Sequence, residues 1–345
     1  MEAKKGRREM KKFELTTEFI TNAFGKKLFR IKALVEFGDV KAGELGGYVE
    51  KEGNVSQADN AWVYGNARVS GGARVSGNAR VYGDARVYGD ARVSGNAEVY
   101  GDARVYGDAR VYGNAEVYDN AWVSGDARVY GDAWVSDNAW VYGNARVYGD
   151  AWVYGDARVS GDARVSGNAR VSGGARVYGD ARVSGDARVY GDARVYGDAE
   201  VYGDAWVYGN ARVYGDARVY GDAWVYGDAR VYGDARVSGN AWVSGNARVS
   251  GDARVYGDAR VSGDARVYGD ADYALVQGFG TEFRCTTFYR GKNKKIMVNC
   301  GCFHGDLEEF RKQVKETRNG KIAKEYLMIA DLMEYHFTSE DSSDE

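Results

Sequence analysis

From Ala61 to Asp270 the chain keeps a single pattern of hydrophobic and polar positions, A-x-V-[YS]-[GD]-[DNG], repeated 35 times without an insertion. Ala fills the first slot and Val the third in every copy, while the second holds Arg, Trp or Glu. The fourth slot holds 22 Tyr and 13 Ser; the last holds 22 Asp, 11 Asn, and Gly at Gly72 and Gly174. Alternation with period two predicts a strand over A-x-V-Y, with Ala and Val on one face and the variable slots on the other. The Gly-Asp or Gly-Asn pair then turns the chain, because these residues tolerate φ > 0 cheaply. A short strand and a bend, repeated, predict a solenoid whose strands pair with those stacked above at about 4.8 Å. With 35 valines and 35 alanines in register, the segment has a core stripe that disordered low-complexity chains lack.

Composition sharpens this picture at two points. The 345 residues include 48 glycines and no proline. Glycine marks the turns, and proline is missing where a ladder needs every backbone N–H. Without proline or a Gly-X-Y period, collagen and polyproline are excluded. The formal charge of −3 conceals a dense pattern: the repeat alone carries 24 Arg against 24 Asp and 3 Glu. Turn aspartates precede the arginines by two residues, so rails of opposite charge are expected to run side by side and compensate each other.

The runs Val63-Tyr64-Gly65-Asn66-Ala67 and Val87-Tyr88-Gly89-Asp90-Ala91 place an aliphatic residue four before a small one. In this the chain resembles the hexapeptide-repeat left-handed β-helix family. The resemblance covers residues 61–270 and implies an all-β, single-stranded left-handed parallel β-helix: a triangular solenoid with three hexads per coil, hence about 12 coils.

Raw strand edges at both ends of a solenoid need caps. Residues 1–12 hold six basic residues and read as a disordered tail, 13–44 as a small β-rich N-cap, and 45–270 as the β-helix. Two extra residues around Gln57-Ala58 precede perfect register. Residues 271–337 read as an α+β C-terminal cap, and 338–345 as an acidic tail. In the C-terminal cap Tyr273–Gln277, Glu282–Arg290 and Lys295–Phe303 read as strands. Asp306 and Glu309 have capping-box spacing for a first helix, and Ile322, Tyr326, Ile329, Leu332 and Met333 fall on one side of a second. The segments RIKALVEFGDVKAGELGGYVE and VNCGCFHGDLEEFRKQVKET are similar to flanks of phage- and prophage-encoded repeat proteins loosely labelled polymer-forming or cytoskeletal. That resemblance implies a mobile-element origin and no particular activity. Non-repeat segments at both ends argue against end-to-end stacking.

Sorting the second slot by three-hexad coils places Trp62, Trp134, Trp152, Trp206, Trp224 and Trp242 on one face, and Trp122 and Trp140 on another. Tyr208 and Tyr226 lie beside the 18-spaced tryptophans at 206, 224 and 242. Such a column reinforces the ladder, forms a subunit interface as in the family's trimers (or a dimer), or receives a host protein. The arginine faces suggest an anionic polymer, but the balancing aspartates make nucleic acid an unfavoured partner.

Histidine is absent from the coils, the two present being His304 and His336. The general base of β-helix acyltransferases is therefore missing, and an enzyme of that class is the disfavoured alternative to a non-enzymatic scaffold. No cofactor is expected. Cys285, Cys300, Cys302 and His304 form the one cluster of metal-ligating types, with 300, 302 and 304 on one strand face if Lys295–Phe303 is continuous. Their spacing fits no standard zinc pattern, and small buried hydrophobes are the preferred reading. A charged N-terminus, no run of 18 apolar residues and an odd cysteine count together predict a cytoplasmic protein without a membrane span.

Overall fold

A computed structural model describes residues 11–281 and 283–338. The basic tail up to residue 10 and the acidic tail from residue 339 lie outside the described residues. The chain forms a β-solenoid with parallel sheets, in which 35 hexads at three per turn make about 12 turns. It divides into two compact units, residues 1–167 and 168–345. The boundary falls inside the repeat, as it can where each coil contacts only its neighbours.

In both units each hexad contributes a strand to one of three parallel stacks. Partners are 18 residues apart, as in Arg68↔Arg86 and Val69↔Val87 of the first unit, and Trp206↔Trp224 and Val207↔Val225 of the second. The regular ladder is shorter than the expected four residues and centres on the second and third slots, as in Arg86–Val87. Every Ala and Val of the repeat is buried, so two small side chains per strand fill the interior. Except for Gly269 in the last hexad, the fifth-slot glycines adopt positive φ; a Cβ at Gly89 (φ 72°) would lie 2.9 Å from the backbone N of Gly107 one coil on. Stacked turns therefore need glycine for space as well as for conformation.

The first unit begins with two antiparallel strands, Phe13–Thr21 and Lys27–Ala33, followed by Leu45–Val49. Leu45–Val49 and Val55 pair with the first perfect coil at an offset of 20 residues, Val49↔Val69 and Val55↔Val75, before the offset settles at 18 with Val63↔Val81. The two extra residues are thus absorbed ahead of Ala61. Three alanine carbonyls of the first coil are met by three kinds of donor. Tyr48 N–H donates to Ala67 (2.9 Å), Asn54 Nδ2 to Ala73 (2.8 Å), and Lys12 Nζ to Ala61 (2.8 Å). Lys12, expected in the tail, is instead only 4% exposed, and burial pushes its ammonium down to about 8. Lys11 also belongs to the cap, paired with Glu52 at 2.8 Å.

The second unit ends in a four-stranded antiparallel sheet (Tyr273–Phe279, Arg284–Arg290, Ile296–Cys300, Phe303–Asp306) and two helices, α1 (Leu307–Thr317) and α2 (Gly320–Thr338). One side of the sheet, with Phe288, Val298 and Phe303, packs on Phe310, Val314, Tyr326, Ile329 and Met333 of the helices. The other side closes the last coil. Arg260 N–H donates to Thr287 Oγ1 (2.9 Å), while Asn299 Nδ2 donates to the Arg260 carbonyl (2.7 Å). The neighbouring edges end on carboxylates: Arg254 N–H on Asp270 (2.8 Å) and Tyr268 N–H on Asp272 (2.7 Å). The capping box of α1 forms as predicted, Glu309 N–H to Asp306 Oδ1 at 2.9 Å and Asp306 N–H to Glu309 Oε2 at 2.8 Å.

Two expectations fail here. Leu332 is 58% exposed, because the buried stripe of α2 runs through Tyr326, Ile329, Ala330, Met333 and Phe337 and leaves Leu332 turned away from it. The strand expected over Lys295–Phe303 breaks at Gly301 (φ 60°) into a tight hairpin, with Cys300 opposite Phe303 and Asn299 opposite His304.

Candidate functional site: aromatic and arginine stacks

Outward side chains in the second and fourth slots recur one strand spacing apart, so flat groups stack along the ladder. In the second unit Trp206, Trp224 and Trp242 lie parallel, with centroids 5.0 and 5.2 Å apart. Guanidiniums close both ends, Arg188 at 4.7 Å from Trp206 and Arg260 at 4.7 Å from Trp242. Tyr208 and Tyr226 stack on each other at 5.0 Å and turn ring edges toward Trp224 (6.3 Å) and Trp242 (6.4 Å). Burial raises the hydroxyl pKa of Tyr208. Each stacked pair adds roughly 0.5–1.5 kcal/mol, and each exposed cation–π contact about 0.5–1 kcal/mol. The ring faces are consumed by their neighbours, leaving edges and the rims of the guanidiniums for any partner.

The first unit carries the Trp134–Trp152 pair, stacked at 4.8 Å. Trp62, grouped with these tryptophans by the hexad count, is no surface residue. It is 0% exposed, with the rings of Phe13 and Phe37 edge-on at 5.9 and 5.3 Å, so the N-cap has taken it into the core.

A better-formed recess lies on another face of that unit. Arg104, Trp122, Trp140 and Arg158 make a continuous column, with successive separations of 4.8, 4.7 and 5.3 Å. Together with Asp102, Asn120, Asn138 and Asp156 they enclose a groove of about 700 Å3. The turns entering both tryptophan strands break the glycine rule: Asp119 (φ 54°) and Asp137 (φ 56°) occupy the left-handed conformation. That choice strains the backbone. The sequence held a signal for it, since each aspartate in that slot begins Asp-Asn-Ala-Trp, at Asp119–Trp122 and Asp137–Trp140, as does Asp59–Trp62 before the first copy.

The charged side chains of the repeat meet several kinds of partner. Several repeat arginines meet rings or glutamates, as Arg188 and Arg260 meet tryptophans and Arg182 and Arg218 flank Glu200 at 3.0 and 3.6 Å. The turn residues instead build amide ladders, Asn60→Asn78→Asn96→Asn114 at 3.0 Å per step and on to Asp132 at 2.7 Å.

The repeat matches the family described as YdcK Beta solenoid repeat, in overlapping segments covering residues 61–155, 157–209, 211–227 and 229–271. The chain belongs to the YdcK β-solenoid repeat family. No curated protein shows significant similarity to it. The YdcK-repeat segments hold the tryptophan columns and, Asp156 apart, the groove, whereas the cap residues Lys12, Asn54, Thr287 and Asn299 lie outside them.

The cysteines and His304 also lie outside the YdcK repeats, and the hairpin at Gly301 scatters them. Cys300 packs on the helix side, receiving a hydrogen bond from Thr286 Oγ1 at 3.1 Å, while Cys302 is exposed on the turn. His304 points to the opposite side, 3.3 Å from the Tyr289 hydroxyl. Cys285 is half-buried, and burial pushes its thiol up to about 11. Among the described residues no three or more His, Cys, Asp or Glu are grouped to hold a metal ion, and no helix is long and apolar enough to cross a membrane.

Proposed function

We propose that this protein is a non-enzymatic scaffold, a rigid spacer of phage or prophage origin acting in the cytoplasm, which associates through the tryptophan columns of its solenoid. The observation that carries the reading is the Arg188–Trp206–Trp224–Trp242–Arg260 column, flanked by Tyr208 and Tyr226. The interior is uniform Ala and Val, so variation is confined to outward slots, and there the large uncharged residues are grouped. Fused columns of ring edges match a second copy, which presents the same surface and gives a dimer or trimer; a host protein is the other candidate partner. The left-handed wind implied by the hexapeptide resemblance belongs to the same proposal.

Light-scattering mass across a concentration series tests it. Trp224→Arg introduces a residue that the repeat itself uses in 24 of 35 copies, so the fold persists. Self-association weakened about tenfold or more by this change supports the reading. A wild-type chain that stays monomeric at every concentration, and binds no host protein sensitive to Trp224→Arg, overturns it.

A further inference from the structure

A second recess of the first unit, of about 270 Å3, lies between the tip of the N-terminal hairpin and the coils. Its floor is a column of three arginines, Arg68, Arg86 and Arg104, in direct register on successive strands. Its walls are Phe24 and Leu28 from the hairpin and Tyr88 from the solenoid. No carboxylate lines it. The nearby Glu50 is already engaged, by Lys26 Nζ at 3.0 Å and the Gly71 N–H at 2.7 Å.

The apolar wall is built rather than incidental. Phe24 is 82% exposed at a tip fixed by Asn22, whose Oδ1 accepts from the N–H groups of Phe24 and Lys26, each at 3.0 Å. Tyr88 is held by stacking on Tyr106 at 4.9 Å. Three like charges one strand spacing apart repel each other, and an anion placed against them relieves that repulsion while accepting several guanidinium N–H groups. The two aromatic rings lining the recess, Phe24 and Tyr88, suit a flat group attached to that anion.

We propose that this recess binds an aromatic phosphate monoester, the chemistry of a nucleoside monophosphate, with its phosphate on Arg68, Arg86 and Arg104 and its ring between Phe24 and Tyr88. The inference uses no residue of the Trp206–Trp224–Trp242 column that carries the self-association reading, although Arg104 also lies over Trp122 at the end of the Trp122–Trp140 column.

Calorimetric titration of the full chain with adenosine monophosphate, inorganic phosphate and adenosine tests it. Adenosine monophosphate is expected to bind one per chain, more weakly at higher salt, and adenosine about tenfold or more weaker. Arg86→Gln removes an exposed guanidinium, and should weaken adenosine monophosphate about tenfold. Phe24→Ala should do the same while leaving inorganic phosphate unchanged. Arg92→Gln, an equally exposed arginine on a face without the hairpin, is the control and should change nothing. Thermal midpoints confirm that each variant is folded. Absence of saturable binding at millimolar ligand, equal binding of adenosine, equal effects of Arg86→Gln and Arg92→Gln, or markedly tighter binding of a 5′-phosphorylated oligonucleotide would each overturn the proposal.

Discussion

The side-chain amide of Asn299 donates to the backbone carbonyl of Arg260 at 2.7 Å, the place that a further strand of the ladder would occupy. Its cross-strand partner Thr287 accepts from the N–H of the same Arg260 at 2.9 Å. Two side chains thus replace one strand, and the last coil has no free edge at this position. The N-terminal end is closed by the same means, with Lys12 and Asn54 in place of backbone donors.

Removing this replacement leaves a buried donor and acceptor unmatched. The double variant Thr287→Val, Asn299→Leu is expected to lose about 2–4 kcal/mol of stability, from roughly 1–3 kcal/mol per orphaned group. Chemical denaturation monitored by circular dichroism gives the value, and an unchanged midpoint would show that the contacts are dispensable.

Lys12 supplies a pH signature. Its folded pKa of about 8 lies below the ordinary lysine value of 10.5, so between these limits the unfolded chain holds a proton that the folded chain has released. Stability should therefore rise with pH across that window, by up to about 1.4 kcal/mol per unit at the steepest. Below pH 8 the burial penalty on the ammonium is fully present. Lys12→Met should abolish the rise, and parallel pH profiles for wild type and variant would refute the assignment.

Asp119 and Asp137 hold a conformation that their neighbours assign to glycine. Replacing both by Gly is expected to stabilise the chain by about 0.5–1 kcal/mol per site as strain is released. A stabilised double variant would identify the Trp122–Trp140 groove as a place where the fold concedes stability. Destabilisation would show that the carboxylates support the turns, as the bond from the Gly155 N–H to Asp137 Oδ2 (3.0 Å) does locally.

Two tryptophans in the same hexad slot should respond in opposite ways to one substitution. Trp62→Arg puts a charge at a site with 0% exposure and is expected to cost more than about 3 kcal/mol. Trp224→Arg extends a column already closed by Arg188 and Arg260, and should cost within about 1–2 kcal/mol, the worth of its stacking. Thermal midpoints of the pair decide it.

What the chain discloses on its own follows from how local each determinant is. The inward Ala and Val, the two residues inserted before Ala61 and the capping box at Asp306 depend on spacings of a few residues and were legible, whereas the coil of three hexads came only from the resemblance to hexapeptide-repeat β-helices. Trp62 was misread because the rings that bury it, Phe13 and Phe37, come from a cap outside the repeat. Leu332 was misplaced because position along α2, without the sheet it faces, does not fix which stripe is buried. The hairpin at Gly301 hid in a run of strand-forming residues, and with it went the one apparent metal cluster. The groove at Trp122 and Trp140 was overlooked for a different reason: counting tryptophans per face rewarded number, whereas the marker was the preceding Asp-Asn.

The 18-residue offset between stacked partners sets a rule for how such a chain can lengthen. Six added residues preserve the Ala and Val interior, yet move every later column to the next of the three sheets. Only a gain or loss of whole coils leaves tryptophan over tryptophan and asparagine over asparagine. The inside therefore tolerates growth in hexads, while the outward columns keep their register only when it comes in multiples of three.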